Sequence, residues 1–133
     1  MSGLALAAAA ESLIGTPFRL HGRDPATGLD CIGLLVAALA LTGRAVPLPN
    51  GYNLRARSIA SLLPDPTECG ITEASGPLQP GDVALVRSGP VQFHLVIAAR
   101  CSGYVQAHAG LRRVVHSEGV LPGCPLHHWR LSA

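Results

Sequence analysis

The chain has 133 residues, of which 48% are hydrophobic and 14% are charged. This composition excludes a disordered chain, and the length fits one globular domain that spans residues 1–133. The net charge of +2 is too close to neutral to indicate binding to nucleic acid or to an anionic membrane. No apolar run reaches the roughly 20 residues that a membrane-spanning helix needs.

The first predicted element is a helix at residues 3–15, which Gly15 and Pro17 end. Its alanines resemble a secretory leader, but no basic segment precedes them. We therefore interpret them as part of the domain and expect no signal peptide. A turn-rich loop with several glycines follows at residues 16–30.

A second helix is predicted for the apolar run from Cys31 to Leu41. Asp30 stands at its N-cap position, and Gly43 ends it. A Pro- and Gly-rich connection, Pro47–Gly51, then leads to a predicted short helix at residues 54–63.

Short apolar runs separated by turn signals fill the rest of the chain. Runs at this spacing predict an antiparallel sheet. Helices followed by strands are typical of an α+β fold, here with N-terminal helices packed on a C-terminal antiparallel sheet. The predicted strands are Gly70–Ala74, Val83–Arg87, Phe93–Ala99, Tyr104–Ala109, Val114–His116 and His128–Leu131.

Cys31 is the first candidate for chemistry, because it lies in the first turn of a predicted helix. Unpaired N–H groups and the helix dipole at such a position lower the pKa of a thiol. The thiolate is the nucleophile of cysteine hydrolases. The alternative is a small buried hydrophobic residue, the commoner role of a free cysteine. The other thiols, which form no CxxC pair, are predicted to be structural or at the surface: Cys69, Cys101 and Cys124.

Two histidines lie in consecutive predicted strands, His94 in the first and His108 in the second. Neighbouring antiparallel strands can place two such side chains next to each other. His94 would then be the base for Cys31, and His108 would orient the far nitrogen of the His94 ring. Each histidine taken alone is equally explained as a partly buried or surface residue.

The remaining candidates for chemistry are weaker. A zinc site would need Cys101, His108 and His116, whose spacing is unlike the short-spaced ligand pairs of known sites. We therefore predict no metal and no cofactor. The histidine pair before Trp129 is typical of a terminal strand that packs its tryptophan on the sheet. His21 and His116 receive no predicted role.

Several segments resemble, in order, motifs of the NlpC family of papain-like bacterial and phage cell-wall peptidases. They are Gly15–Phe18, His21-Gly22, Asp30–Leu35, Leu78–Val83, Phe93–Ile97 and His108-Ala109. The resemblance covers essentially the whole chain and implies a papain-like fold. It implies Cys31 as nucleophile, His94 as general base and His108 as third residue, with the backbone N–H of Cys31 at the oxyanion. The implied substrates are peptidoglycan stem peptides, cut between γ-D-glutamate and a diamino acid.

Three positions depart from the family pattern. Phe18 stands where the family usually has a tyrosine whose hydroxyl assists at the oxyanion. Ile32 replaces a serine that, with the preceding aspartate, can hold a free substrate amine, so Asp30 alone is left for that role. His21 replaces a glycine and adds a polar group. We thus expect Phe18, Asp30 and Ile32 to contact the substrate.

The Asp-Cys-aliphatic-Gly-Leu motif at Asp30–Leu34 is most similar to the branch found with phage tails and gene transfer agents. This resemblance implies phage-like tail or baseplate proteins as partners. It also implies synthesis in the cytoplasm and carriage by the virion or particle tail to the periplasmic cell wall. Two alternatives stay open. One is a degenerate papain-like domain with a structural role at the tail tip, favoured by Phe18 and Ile32; the other is a transferase or thioesterase with the same dyad.

Overall fold

The computed structural model describes residues 3–43, 71–89 and 92–131. The elements in chain order are α1 (Gly3–Ser12), β1 (Arg23–Asp24), β2 (Gly28–Leu29), α2 (Cys31–Leu41), β3 (Ile71–Glu73), β4 (Val83–Gly89), β5 (Gln92–Ala98), β6 (Tyr104–His108), β7 (Arg113–Ser117) and β8 (Cys124–Leu131). The predicted connection Pro47–Gly51, the predicted helix at 54–63 and Cys69 lie outside the described residues.

Helix α2 has the bounds that the sequence predicts, and Asp30 caps it as expected. Helix α1 ends at Ser12, before its predicted end at residue 15. The chain turns there because Gly15 adopts a φ of 95° and donates its N–H to the Val114 carbonyl oxygen in β7. The end of α1 is therefore set by contact with the sheet.

Six strands form one antiparallel sheet in the order β3-β8-β4-β5-β6-β7. Each predicted strand is present, and its bounds agree with the prediction to within four residues. The strands that carry His94 and His108 are neighbours, as predicted. The small β1–β2 pair was missed, because strands of two residues carry no alternation to detect.

The main core lies between the two helices and one face of the sheet. Helix α2 buries nearly all of its side chains there, as expected for an apolar run without a polar face. Trp129 of β8 is also in this core, which confirms the predicted role of the terminal strand. Within the described ranges, no helix is long and apolar enough to cross a membrane. Two helices packed on a six-stranded antiparallel sheet are the predicted α+β fold.

A buried carboxylate joins the turn before β4 to β8. Asp82 is fully buried, and its two oxygens accept hydrogen bonds from the Arg130 guanidinium, both at 2.8 Å. The backbone N–H of Gln79 donates to the same carboxylate at 2.8 Å. These donors hold the pKa of Asp82 below its ordinary value despite burial, which acts in the other direction. The start of β4 is thereby anchored to β8.

Strands β5 and β6 diverge beside the start of α2. Among the described residues they are paired only at Ile97–Val105 and Ala98–Tyr104. Strand β5 reaches back to Gln92 and β6 reaches on to His108, so both extend beyond the paired region. The backbone N–H of Leu95 bonds to the Cys31 thiol. The first residue of α2 therefore meets the sheet where two strands separate.

Candidate active site

The loop before α2 is held by the carboxylate of Asp30, which is fully buried. One oxygen accepts the Gly33 N–H and the other accepts the His21 N–H, each at 2.8 Å. The Arg23 guanidinium lies 3.4 Å from the first oxygen. Both oxygens therefore bind groups of the chain itself.

The same loop lies directly on the first turn of α2. A Cβ atom at Gly33 would clash with the Gly22 carbonyl oxygen, so the contact requires glycine. His21 adopts a φ of 62°, a left-handed conformation that non-glycine residues rarely take. The hydrogen bond from its N–H to Asp30 holds that conformation. The contact between Gly22 and Gly33 and the hydrogen bonds of Asp30 thus fix the position of the Cys31 backbone.

A cavity of about 220 Å³ opens in front of Cys31. Four of the predicted site residues line it, namely Phe18, Cys31, His94 and His108. Gln106, which is not among the predicted site residues, also lines the cavity.

The other two predicted substrate contacts, Asp30 and Ile32, do not line this cavity. Asp30 is sealed by the donors described above. Ile32 is fully buried in the core. Neither side chain is exposed, and their contact with the substrate stays a prediction.

His94 is held by a buried amide. Its Nε2 lies 2.8 Å from Oε1 of Gln106, and the amide nitrogen of Gln106 donates to the Ser117 hydroxyl at 2.9 Å. Because an amide oxygen can only accept, the proton of the neutral imidazole is on Nε2. Nδ1 is therefore the unprotonated nitrogen, able to accept a proton.

His108 does not occupy the predicted third position, although it lines the cavity. Its Nδ1 accepts the backbone N–H of Leu111 at 3.0 Å in the turn after β6. Residues 106 and 108 lie on the same face of β6, and Gln106 is the nearer to the last β5–β6 pair. Gln106 consequently reaches His94, and His108 is held by the turn. Alternation along β6 puts Gln106 on the same face as His108 and could have made it a second candidate.

The thiol of Cys31 differs from the sequence prediction. Complete burial raises its pKa to about 12, and the neighbouring Asp30 carboxylate adds to that rise. Hydrogen bonds from the backbone N–H groups of Leu95, Ile32 and Cys31 act in the opposite direction but are outweighed. The prediction of a lowered pKa is wrong, because loss of hydration exceeds the effect of the helix N-terminus.

The imidazole of His94 is also shifted towards its neutral form. Burial lowers its pKa below the ordinary 6.5, and the nearby His108 acts in the same direction. The hydrogen bond to Gln106 raises it, but by less. At neutral pH the resting pair is therefore a protonated thiol and an uncharged imidazole.

Among the described residues, Cys101 and His116 are not in the lining of the cavity. Cys101 is a free, exposed thiol, as predicted. Nε2 of His116 lies 2.8 Å from the Ser102 carbonyl oxygen. In the part of the chain that the structure describes, no group of three His, Cys, Asp or Glu side chains could hold a metal ion.

Solved structures share this fold. The NlpC/p60 domain of the peptidoglycan hydrolase SagA is 25% identical, with a TM-score of 0.66 and a match that covers 100% of both chains. An NlpC/p60 family protein from Bacillus cereus ATCC 10987 is 17% identical, with a TM-score of 0.67 over 98% of this chain and 40% of that one. A protein similar to an NLP/P60 family lipoprotein, from Staphylococcus aureus subsp. aureus Mu50, is 18% identical, with a TM-score of 0.63 over 98% of this chain and 41% of that one.

No family model matches the sequence, and no curated protein gives a significant match. The likeness to known proteins is therefore found in the fold. The chain has the papain-like fold of NlpC/p60 domains.

Proposed function

We propose that this protein is a cysteine peptidase that hydrolyses peptidoglycan stem peptides. The observation that carries the proposal is a single cavity lined by the thiol of Cys31 and by an imidazole, His94, whose far nitrogen is bonded to Gln106. The substrate class follows from likeness to NlpC/p60 domains, one of them from a peptidoglycan hydrolase. The motif resemblance gives the bond between γ-D-glutamate and a diamino acid.

The reaction starts from the neutral pair. As the Cys31 sulfur attacks the peptide carbonyl, Nδ1 of His94 takes the thiol proton. The imidazolium keeps its Nε2–H bond to Gln106, and the amide oxygen stabilises the new charge. His94 then protonates the leaving amine as the C–N bond breaks, which leaves a thioester. Water, deprotonated by His94, hydrolyses the thioester and restores the thiol.

The side of the cavity where the oxyanion would form lacks a side-chain hydrogen-bond donor at Phe18. Phe18 lines the cavity but has no hydrogen-bond donor. The backbone N–H of Cys31 is then the main donor, since it lies in the first turn of α2, where N–H groups have no partner within the helix. Phe18 is also the observation that favours the alternative, a papain-like domain with a structural role.

Incubation with defined muropeptides tests the proposed function. We expect the wild-type protein to release products cut between γ-D-glutamate and the diamino acid, and Cys31→Ala to release none. Because Asp30 is sealed from the cavity, free peptides and disaccharide-peptides should be cut at rates within about tenfold of each other. Mass analysis before and after incubation gives both results. Intact muropeptides with the wild-type protein would favour the structural role.

The pH dependence of kcat/KM tests the roles of His94 and Gln106. Turnover needs neutral His94, so activity is lost as pH falls through its lowered pKa, at a midpoint below 6.5. Gln106→Leu removes an interaction that raises this pKa and should move the midpoint to lower pH, with kcat reduced on the order of 10²-fold.

The controls separate positioning from folding. Gln106→Asn, which keeps the amide, should restore part of kcat. His108→Gln removes a neighbour that lowers the pKa of His94 and should move the midpoint to higher pH. His94→Ala should reduce kcat about 10²-fold or more. Identical pH profiles for wild type and Gln106→Leu would contradict the assignment.

The raised pKa of Cys31 predicts an order of alkylation. Iodoacetamide reacts with thiolates, so near neutral pH it should label exposed Cys101 before buried Cys31. Labelling of Cys31 should accelerate steeply as pH rises. Peptide mapping of timed samples measures both rates, with Cys101→Ser as the control. Preferential labelling of Cys31 at pH 7 would show that its thiolate is already present.

We also propose that a phage-like tail or gene transfer agent particle carries the protein to the cell wall. The support is the resemblance of Asp30–Leu34 to the tail branch of the family. Mass spectrometry of purified particles from the producing cells should detect the chain at a constant ratio to tail proteins. Its absence from every particle fraction would refute carriage and leave the chemistry at Cys31 unaffected.

A further inference from the structure

One donor in the cavity is not used by the chain itself. The amide of Gln106 binds His94 and Ser117, and Nε2 of His94 is occupied by that amide. His108 differs, because its Nδ1 accepts the Leu111 N–H and its proton is therefore on Nε2. No described residue accepts a hydrogen bond from that nitrogen. The ring is half-buried, so Nε2 is available to a ligand in the cavity.

An arginine lies directly across from this histidine. Arg113 is the partner of His108 in the β6–β7 register, and paired residues of neighbouring strands point to the same face of a sheet. Its side chain is exposed. Within residues 3–43, 71–89 and 92–131, its guanidinium forms no ion pair and no hydrogen bond. Gly110 in the following turn lies against the His108 ring, where a Cβ atom would be 3.0 Å from Cε1.

The lining of the cavity has no negatively charged side chain: among the described residues it contains no aspartate or glutamate. In the loop before α2, the carboxylate of Asp30 is buried and bound by its own chain. Arg112, next to Arg113, is exposed as well, and its carbonyl oxygen accepts the Phe18 N–H at 2.9 Å, which brings this turn to the edge of the cavity.

We propose that His108 and Arg113 form a subsite that binds a free carboxylate of the substrate peptide. A guanidinium and an imidazole N–H on one face of a sheet can each donate to a carboxylate oxygen. A γ-linked glutamate keeps its α-carboxylate free, only a few bonds from the carbonyl that Cys31 attacks. The subsite rests on the proposed function and adds to it the group by which the substrate is selected.

Two matched peptides test the subsite. They differ only in the γ-linked glutamate, which has a free α-carboxylate in one and an α-carboxamide in the other. Wild type should have a kcat/KM about tenfold higher for the carboxylate peptide, the usual scale of a hydrogen bond to a charged group at a partly exposed site. Arg113→Gln and His108→Gln should each remove most of that preference by raising KM for the carboxylate peptide. Cleavage of the amide peptide by Arg113→Gln should stay within about twofold of the wild-type rate.

Arg100→Gln is the matched control, because it removes the same charge from a site at the other end of β5, where Arg100 pairs with Glu11. It should leave the preference unchanged. Equal cleavage of the two peptides by wild type, or equal losses on both peptides in Arg113→Gln, would overturn the subsite.

A binding measurement separates failure of the subsite from failure of the proposed function. If wild type cleaves neither peptide, the proposed peptidase activity is refuted. Calorimetry with the Cys31→Ala protein then tests the subsite alone. Tighter binding of the carboxylate peptide, lost on adding Arg113→Gln, supports it; equal affinity for both peptides overturns it.

Discussion

The buried carboxylate of Asp30 connects the parts of the molecule on which the site depends. It caps α2 through the Gly33 N–H, holds His21 in a left-handed conformation and lies beside the Arg23 guanidinium. A carboxylate without access to water is tolerated only when such donors satisfy it. Because Cys31 is the next residue, its backbone is fixed by the same contacts. The contacts of Asp30 therefore hold the backbone of Cys31 in place.

The divergence of β5 and β6 brings Cys31 and His94 to one cavity. Cys31 starts a helix that packs on one face of the sheet, whereas His94 belongs to the other face by alternation with Phe93 and Leu95 of the core. If β5 and β6 stayed paired at this point, the sheet would lie between the Cys31 thiol and the His94 imidazole. Since β5 and β6 part beyond Ile97–Val105, the thiol reaches the backbone of Leu95 and shares a cavity with the neighbouring imidazole.

Local signals in the sequence were sufficient for α2, its cap and the strand of His94. A polar N-cap before an apolar run needs no distant partner to be recognised. The third residue was different: Gln106 and His108 share a face of β6, and the choice between them depends on where β5 diverges. The orientations of Asp30 and Ile32 were hidden for a related reason, since a helix without a polar face does not reveal which side meets the cleft. The thiol pKa depended on burial, which no motif encodes.

The protonated state of Cys31 also affects how the protein withstands oxidation. Peroxides attack thiolates, and each step from sulfenic to sulfonic acid begins with that species. A buried thiol with a pKa of about 12 is almost entirely protonated at neutral pH, so its oxidation is slow. In the proposed reaction, the thiol becomes reactive as it transfers its proton to His94, with a peptide carbonyl already in the cavity. Burial therefore protects the thiol of Cys31 from oxidation in the resting protein.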